Sequence, residues 1–237
     1  MENYINNLLF TYLPHISMAV FWFGLITRIV KASKSIQANS SQFLSRKGLR
    51  LGSNLFHFSI IFVFIGHFTG LFTPEKLYHL FFTTETKRII ALIMGSVFGL
   101  LSLTGIIILI YRRISIDRIR LNSSVQDYFI IFLLLTEIML GMISITQTAS
   151  SSVENYAALG IWAQKIITFQ PDAASVIADH SIIYKLHIVA GLLIFIIFPY
   201  TKLMHMIVMP VAYYVRSGYQ LVRKRYHEDG SGTPGNY

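Results

Sequence analysis

The sequence predicts an all-α integral membrane bundle of five transmembrane helices, and three features of the chain support this fold class. First, 54% of its 237 residues are hydrophobic and only 13% are charged. Second, apolar runs recur along the chain, and each is long enough to supply the roughly 20 residues with which a helix crosses a bilayer. Third, lysine and arginine are divided unevenly between the segments that join these runs.

The predicted spans account for most of the chain. They are residues 7–30, 52–72, 89–111, 127–147 and 181–210. The fifth is the longest, and Pro199 inside it is expected to bend it, because proline cannot complete the hydrogen bonding of a helix. We therefore expect one membrane domain over residues 1–226 and a disordered cytoplasmic tail over residues 227–237, which are polar and rich in glycine and proline.

The positions of the basic residues predict how the bundle is oriented. Fourteen of the 20 lysine and arginine residues lie at 28–50, at 112–120 or after the last span, all on one side of the predicted bundle. Four lie on the other side. Because basic residues are retained in cytoplasmic loops, we expect the N-terminus outside and the C-terminus in the cytoplasm. This distribution accounts for the net charge of +9 and argues against a nucleic-acid partner. The four are Lys76, Lys87, Arg88 and Lys165.

Four histidines lie inside the apolar runs, His57 and His67 in the second span and His187 and His205 in the fifth. An ionisable residue at membrane depth indicates a functional site. Because these two spans run antiparallel, His67 and His187 are expected near the outer face, and His57 and His205 near the inner face. Two pairs of imidazoles on two helices suit the axial ligation of two haems. The alternative is a transporter or a haem-free anchor in which the histidines form a proton path.

Helix geometry supports the two pairs only in part. The 18 residues from His187 to His205 make about five turns, so a continuous helix would carry both side chains on one face. The ten residues from His57 to His67 would leave those two side chains about 80° apart. The separations along the helices also differ, roughly 27 Å against roughly 15 Å. A bend at Pro199 could reduce this mismatch.

Several other residues carry weaker signals. Gly66 and Gly70 flank His67 and would let a flat macrocycle or a quinol approach the helix, although small residues suit plain helix packing equally well. Glu137 lies inside the fourth span, either as a proton relay or as a buried neutral acid. The amphipathic segment around Trp162 either lies along the membrane surface or is an ordinary loop helix. The histidines outside the pairs are expected to be structural. They are His15, His79, His180 and His227.

Five segments together suggest a known family. They are SSQFLSRKG at 40–48, SNLFHFSIIFVFIGHFTGLFTP at 53–74, RRISIDRIR at 112–120, WAQKIITF at 162–169 and YKLHIVAGLLIFIIFPYTKLMH at 184–205. With these segments the chain resembles the gamma subunit of respiratory nitrate reductase, a dihaem membrane cytochrome b, over nearly its whole length. The two histidine-bearing segments are the specific ones. The sequence departs from the family pattern at 154–161 and 170–172 and in the tail after Tyr226.

The resemblance implies that His57 and His205 ligate an inner haem b, and that His67 and His187 ligate an outer one. Bis-histidine ligation leaves no open iron position, which suits electron transfer. In that family quinol is oxidised near the outer haem, and its two protons leave to the outer side. The electrons pass through both haems to an iron–sulfur beta subunit and then to a molybdenum-containing alpha subunit that reduces nitrate.

The resemblance also implies a location and a substrate-binding residue. We expect a multi-pass protein of the cell inner membrane that exchanges quinol with the quinone pool among the lipids. Lys87 matches a lysine that the family places at the quinol site; otherwise it is an interfacial anchor, a role that also suits Arg88. A related dihaem subunit of a sulfite reductase or a heterodisulfide-reductase-like complex would share these features. The sequence has no cysteine, so any iron–sulfur cluster bound by thiolates belongs to another chain.

Overall fold

The computed structural model describes residues 2–32 and 41–207, and these form helices and turns without any strand. Five helices are long and apolar enough to cross a membrane, which confirms the predicted fold class and the number of spans. They are Tyr4–Lys31, Leu49–Phe72, Thr84–Ser115, Val125–Ser150 and Ile182–Tyr200. The orientation of the bundle stays a prediction. The predicted tail at 227–237 lies outside the described residues.

Polar caps decide where several helices begin. The side chains of Thr83, Ser124 and Ser152 each accept the backbone N–H three residues further on, which satisfies one of the free donors of a helix start. In chain order the helices are α1 (Glu2–Asn7), α2 (Leu13–Ala32), α3 (Leu49–Phe72), α4 (Glu75–Tyr78), α5 (Thr84–Ser115), α6 (Asp117–Leu121), α7 (Val125–Ser150), α8 (Val153–Ile167), α9 (Ala173–Val176) and α10 (Ile182–Ile197). A π-helical turn, Leu8–Tyr12, joins α1 to α2 within the first span.

The long helices pack in a row. Helix α3 packs on α5, α5 on α7, α7 on α10, and α10 on α2. The contact between α3 and α5 is close: a Cβ atom added at Gly105 would lie 2.5 Å from the backbone nitrogen of Phe56. Nearby, the buried hydroxyls of Ser59 and Ser102 hydrogen-bond at 2.7 Å. Small residues permit this approach in a membrane bundle. Helices α3 and α10 are not closely packed, and side chains span the gap between them.

The prediction of a single helical span that continues through His205 is wrong. Helix α10 ends at Ile197, where Pro199 supplies no N–H for a further helical turn. His205 therefore follows an irregular segment and does not share a helix with His187, so the five-turn argument for a common face does not apply. The irregular segment consists of two 3-10 turns, Phe198–Tyr200 and Lys202–Met204, on either side of an extended Thr201.

The outer segment forms a helix that is buried against the start of the chain. Trp162 of α8 is only 7% exposed, and its indole N–H donates to the carbonyl of Phe10 at 2.9 Å. Its apolar body is therefore covered by protein, as expected when an indole N–H finds a partner inside a fold. The membrane-surface interpretation is wrong for this side chain. The buried residues around it are Phe10, Ala163, Ile166, Ala173, Ala174 and Ile177.

Candidate functional site

The four intramembrane histidines form two pairs across the gap between α3 and the segment that begins with α10. The ring centres of His67 and His187 lie 5.8 Å apart, and those of His57 and His205 lie 6.0 Å apart. Two imidazoles on opposite sides of one metal ion, with metal–nitrogen bonds of about 2 Å, have ring centres roughly 6 Å apart. Following the predicted orientation, we call the first pair outer and the second pair inner.

Hydrogen bonds fix which nitrogen is available in three of the four rings. The Nδ1 atoms of His57, His67 and His205 each donate to a backbone carbonyl three or four residues earlier, at 2.5–2.8 Å. A carbonyl oxygen can only accept, so Nδ1 carries the proton and Nε2 keeps its lone pair. Metal-binding histidines have this arrangement, because the bond from the second nitrogen orients the ring.

His187 lacks such a carbonyl and contacts a carboxyl group instead. Its Nδ1 lies 3.1 Å from Oε1 of Glu137, which projects from α7. Both this Nδ1 and Oε2 of Glu137 are buried, and neither makes a hydrogen bond to any group in residues 2–32 and 41–207. Sequence reasoning singled out Glu137 as an ionisable residue in a span but did not connect it with His187.

Helix α2 holds the irregular segment that leads to His205. The guanidinium of Arg28 donates to the carbonyl of Pro199 at 2.6 Å. One turn earlier on α2, Gly24 lies so close that an added Cβ would be 2.8 Å from the Cβ of Pro199. A glycine at this point lets the two segments touch, and the arginine then fixes the break in α10.

A charged cluster from the neighbouring helices holds the same segment. The Lys202 ammonium donates to Oδ1 of Asp127 at 2.6 Å, and Oδ2 of this aspartate lies 3.4 Å from the guanidinium of Arg113. The aspartate side chain is 9% exposed and that of Lys202 is 41% exposed, so the carboxylate is sheltered from water while the lysine reaches the surface. Because Lys202 also supplies the carbonyl that binds Nδ1 of His205, the cluster positions the inner pair.

The surroundings of the histidines leave room for a flat group. A Cβ added at Gly66 or Gly70 would meet no atom within 4 Å, so the side of α3 near His67 is open. Beside His57 there is an open hollow of about 790 Å³ whose lining includes Arg50. Available Nε2 donors at the right spacing, with space beside both rings of α3, fit two bis-histidine haems.

Lys87 lies at the outer end of α3. Its ammonium donates to the carbonyl of Gly70, one turn beyond His67 on α3, at 2.8 Å. It also lies 4.2 Å from the centre of the Tyr78 ring, a cation–π contact. Burial raises the pKa of the neighbouring Tyr156 phenol to about 12, and Tyr78 adds to this shift, so Tyr156 keeps its proton at neutral pH. Sequence reasoning missed both tyrosines.

The adjacent Arg88 points to a different part of the structure. Its guanidinium pairs with Glu85 at 3.0 Å and donates to the carbonyl of Ser151 at 2.6 Å. It therefore fastens the start of α5 to the end of α7. The two neighbouring cations thus have separate surroundings, and only Lys87 faces the end of α3 that carries His67.

Comparison with known proteins places the chain in a family. A family model described as the nitrate reductase gamma subunit matches residues 6–225. The chain belongs to this family. Its membership favours a nitrate reductase over the sulfite reductase, heterodisulfide-reductase-like and transporter alternatives.

Individual gamma chains match over nearly their full length. The respiratory nitrate reductase 1 gamma chain of Escherichia coli (strain K12) is 36% identical over 225 residues, which cover 94% of this chain and 99% of that protein. The respiratory nitrate reductase 2 gamma chain of the same organism is 34% identical, with 95% and 100% covered. The nitrate reductase gamma chain of Bacillus subtilis (strain 168) is also 34% identical, with 90% and 96% covered.

The remaining histidines of this gamma-family chain contact nearby polar groups. The two ring nitrogens of His15 lie 2.7 and 2.9 Å from the carbonyls of Thr11 and Ile166. His79 lies 3.0 Å from the Thr84 hydroxyl, and His180 lies 3.0 Å from a carbonyl of α8. These contacts tie loops and helix ends together. His227 lies outside the described residues.

Proposed function

We propose that this gamma-family chain oxidises quinol near its outer end and delivers the electrons to the inner side, where partner subunits reduce nitrate. The observation that carries the proposal is the pair of ring-centre distances, 5.8 Å and 6.0 Å, at two levels of the bundle. His67 and His187 would hold an outer haem b, and His57 and His205 an inner one. When bound, the two haems supply one-electron transfer with no open iron position.

The residues around Lys87 suit the binding of a quinol oxygen. Its ammonium is held by the carbonyl of Gly70 and the ring of Tyr78, so it is oriented before a ligand arrives. From this position it can donate a hydrogen bond and stabilise negative charge on the oxygen as the proton leaves. Each quinol loses two protons and two electrons and becomes a quinone. The open side of α3 at Gly66 gives the flat ring, or the haem edge, room beside His67.

The predicted orientation gives the reaction its direction. Protons would leave on the outer side, while two electrons reach the inner side and, with two protons taken up there, convert nitrate to nitrite and water on the molybdenum-containing alpha subunit. Turnover then separates charge across the cell inner membrane. The basic inner loops would face the iron–sulfur beta subunit and attract an acidic surface on it.

Counting the haems is the first test of this proposal. We expect a reduced-minus-oxidised spectrum of the purified chain to show two low-spin b haems per protein. In the His67→Ala variant the outer haem should disappear and quinol-dependent activity should be lost, while the inner haem persists. A haem-free but folded wild-type chain, prepared with haem supplied, would overturn the proposal. Two haems in the His67→Ala variant would overturn the assigned pairing.

The role of Lys87 can be tested separately with a matched lysine as control. Loss of a hydrogen bond from a charged donor weakens binding by about 1.5–3 kcal/mol, so Lys87→Ala should lower kcat/KM for quinol by about 10- to 100-fold, with both haems retained. Lys76, an exposed lysine of the nearby short helix α4, serves as the control, and Lys76→Ala should leave quinol kinetics unchanged. Equal effects of the two substitutions would contradict a specific role for Lys87.

A further inference from the structure

We propose that Glu137 is a positioning residue for the outer haem: its carboxyl group accepts a hydrogen bond from Nδ1–H of His187, orients that ring and lowers the midpoint potential of the haem. This inference rests on the proposed ligation of a haem by His67 and His187. It assigns a role to the one ionisable side chain within the predicted limits of the fourth span, 127–147, that faces a histidine pair.

The contact completes a pattern that the other three histidines share. Each of those rings donates its Nδ1–H to a carbonyl of its own segment. His187 has no such carbonyl, and Oε1 of Glu137, at 3.1 Å, is the acceptor within reach of its Nδ1. When Nε2 of His187 binds iron, its Nδ1 carries the proton. A buried N–H without an acceptor costs about 1–3 kcal/mol, so a hydrogen bond from this Nδ1–H to Oε1 of Glu137 is then favoured. Carboxylates are common partners of metal-binding histidines.

Two glycines bring the helices close enough for this contact. Glu137 and Gly141 are one turn apart on α7, and His187 and Gly191 are one turn apart on α10. A Cβ added at Gly191 would lie 3.1 Å from Oε1 of Glu137, and a Cβ added at Gly141 would lie 3.2 Å from Cε1 of His187. Gly191 of α10 therefore faces Glu137 of α7, and Gly141 of α7 faces His187 of α10.

The expected effect on the haem follows from the acceptor's strength. A carboxyl oxygen draws the Nδ1 proton toward itself, which makes the imidazole a stronger electron donor to the iron. Stronger donation stabilises the oxidised iron, which has the higher positive charge, and lowers the potential. Hydrogen bonding to axial ligands is one of the means by which proteins set haem potentials. The inner pair has a backbone carbonyl behind each ring, and no carboxyl group of the described residues contacts either of them.

The test is a potentiometric titration of both haems in membranes that contain the whole complex. The component absent from the His67→Ala variant identifies the outer haem. In Glu137→Leu we expect the outer haem to shift toward reduction by at least tenfold, which is about 59 mV for a one-electron couple. The inner haem should not shift. Glu137→Gln keeps a weaker acceptor and should restore most of the wild-type potential. The low-spin electron paramagnetic resonance signal of the outer haem should change in Glu137→Leu because its axial ring is no longer oriented.

Two further variants keep the test decisive. Thr136→Val removes a neighbouring hydroxyl that donates to the carbonyl of Phe132 within α7, and it should leave both potentials unchanged. If Glu137→Leu does not assemble, Gly191→Ala, which crowds the carboxyl group, should still raise the outer potential. Unchanged outer potential and resonance signal in Glu137→Leu, or equal shifts of both haems, would overturn the inference. A wild-type complex without an outer haem would instead overturn the proposed function.

Discussion

The outer and inner histidine pairs reach almost the same ring spacing on different supports. In the outer pair both residues lie in regular helices, and a carboxyl group from α7 stands behind His187. In the inner pair His57 lies in the middle of the long helix α3, whereas His205 is separated from α10 by an irregular segment. His205 follows two 3-10 turns that are held by Arg28 of α2 and by the charged cluster around Asp127.

This difference shows that a ligand can be positioned either by a helix or by anchors on an irregular segment. A helix fixes the backbone of its residues through its own hydrogen bonds, so both outer histidines are placed by local bonds, and Glu137 is proposed to orient only the ring of His187. The segment before His205 has no continuous series of helical backbone hydrogen bonds. Its position depends on side chains from distant parts of the sequence. We therefore expect substitutions that are remote in sequence to displace His205 of the inner pair, whereas in the outer pair such a substitution, at Glu137, should reorient one ring without displacing it.

The largest expected effect comes from removing one ligand of each pair in turn. Under the proposed ligation, His187→Ala should leave only the inner haem and His205→Ala only the outer haem, so each variant should contain one haem and the wild type two. The measurement is haem content per protein together with a redox titration that identifies the remaining haem. If either substitution removes both haems, the two pairs are not independent and the comparison fails.

The next effect comes from the anchor of the inner pair. Asp127→Asn removes the charge that holds Lys202 and Arg113, and loss of a sheltered charged partner costs about 1–3 kcal/mol. On heating, the inner haem should be released at a lower temperature than in the wild type, with the outer haem unaffected. Asp117→Asn is the matched control, because its pair with Arg120 is exposed and should contribute little. Simultaneous early release of both haems would show that the anchor serves the whole bundle.

A smaller effect is expected from crowding between α3 and α5. Gly105→Ala places a Cβ 2.5 Å from the backbone of Phe56, the residue before His57, and such overpacking costs roughly 1–3 kcal/mol. The thermal stability of the detergent-solubilised protein should fall, and the inner haem should be disturbed more than the outer one. Gly95→Ala on the same helix meets only the end of the Ile145 side chain, at 3.3 Å, and should be tolerated. A larger disturbance of the outer haem would contradict the prediction that crowding beside Phe56 acts mainly on the inner pair.

The smallest expected effect concerns the outer loop. The hydrogen bond and charge of Lys165 lower the pKa of the exposed Asp172 carboxyl below its usual value of 3.8. The lowered pKa means that this pair stabilises the fold above that value and loses its effect as the pH falls through the folded-state pKa. Asp172→Asn should therefore lower the thermal midpoint only slightly at pH 7 and not at all near pH 2. If the thermal midpoints of Asp172→Asn and the wild type still differ near pH 2, the effect comes from side-chain packing and not from charge.

The spans could be predicted from the sequence because apolar length is a local property. Their ends could not, since the caps that decide them lie outside the apolar runs. Helix α5, for example, starts at Thr84 instead of the predicted residue 89, because Thr83 caps it before the apolar run begins. Likewise, Pro199 predicted a bend in the fifth span. It did not predict the two 3-10 turns that follow Ile197, because these depend on a tertiary contact between Arg28 and the Pro199 carbonyl.

The four histidines could be singled out from the sequence, and the structure brings them together as two pairs; their ligation of haem stays a proposal. The place of Glu137 could not be predicted, because it depends on the rotation of α7 relative to α10. That rotation is set by the close approach at Gly141 and Gly191, a tertiary contact without a local sequence signal. The surroundings of Lys87 depend in the same way on where α4 and the end of α3 meet.

The end of α10 at Ile197 also affects which changes of chain length the protein could accommodate. Inserting one residue between His187 and Ile197 would rotate everything after it by about 100°, as in any helix. Inserting one residue in the 3-10 segment would instead change only the turns of that segment. Helix α10 and His187 would keep their positions. The separation of the two pairs along this segment is thus free of the helical repeat, whereas along α3 the ten residues from His57 to His67 set it at about 15 Å. The irregular segment can therefore match its length to the spacing that α3 imposes, so that the ring centres within both pairs come within 6.0 Å of each other.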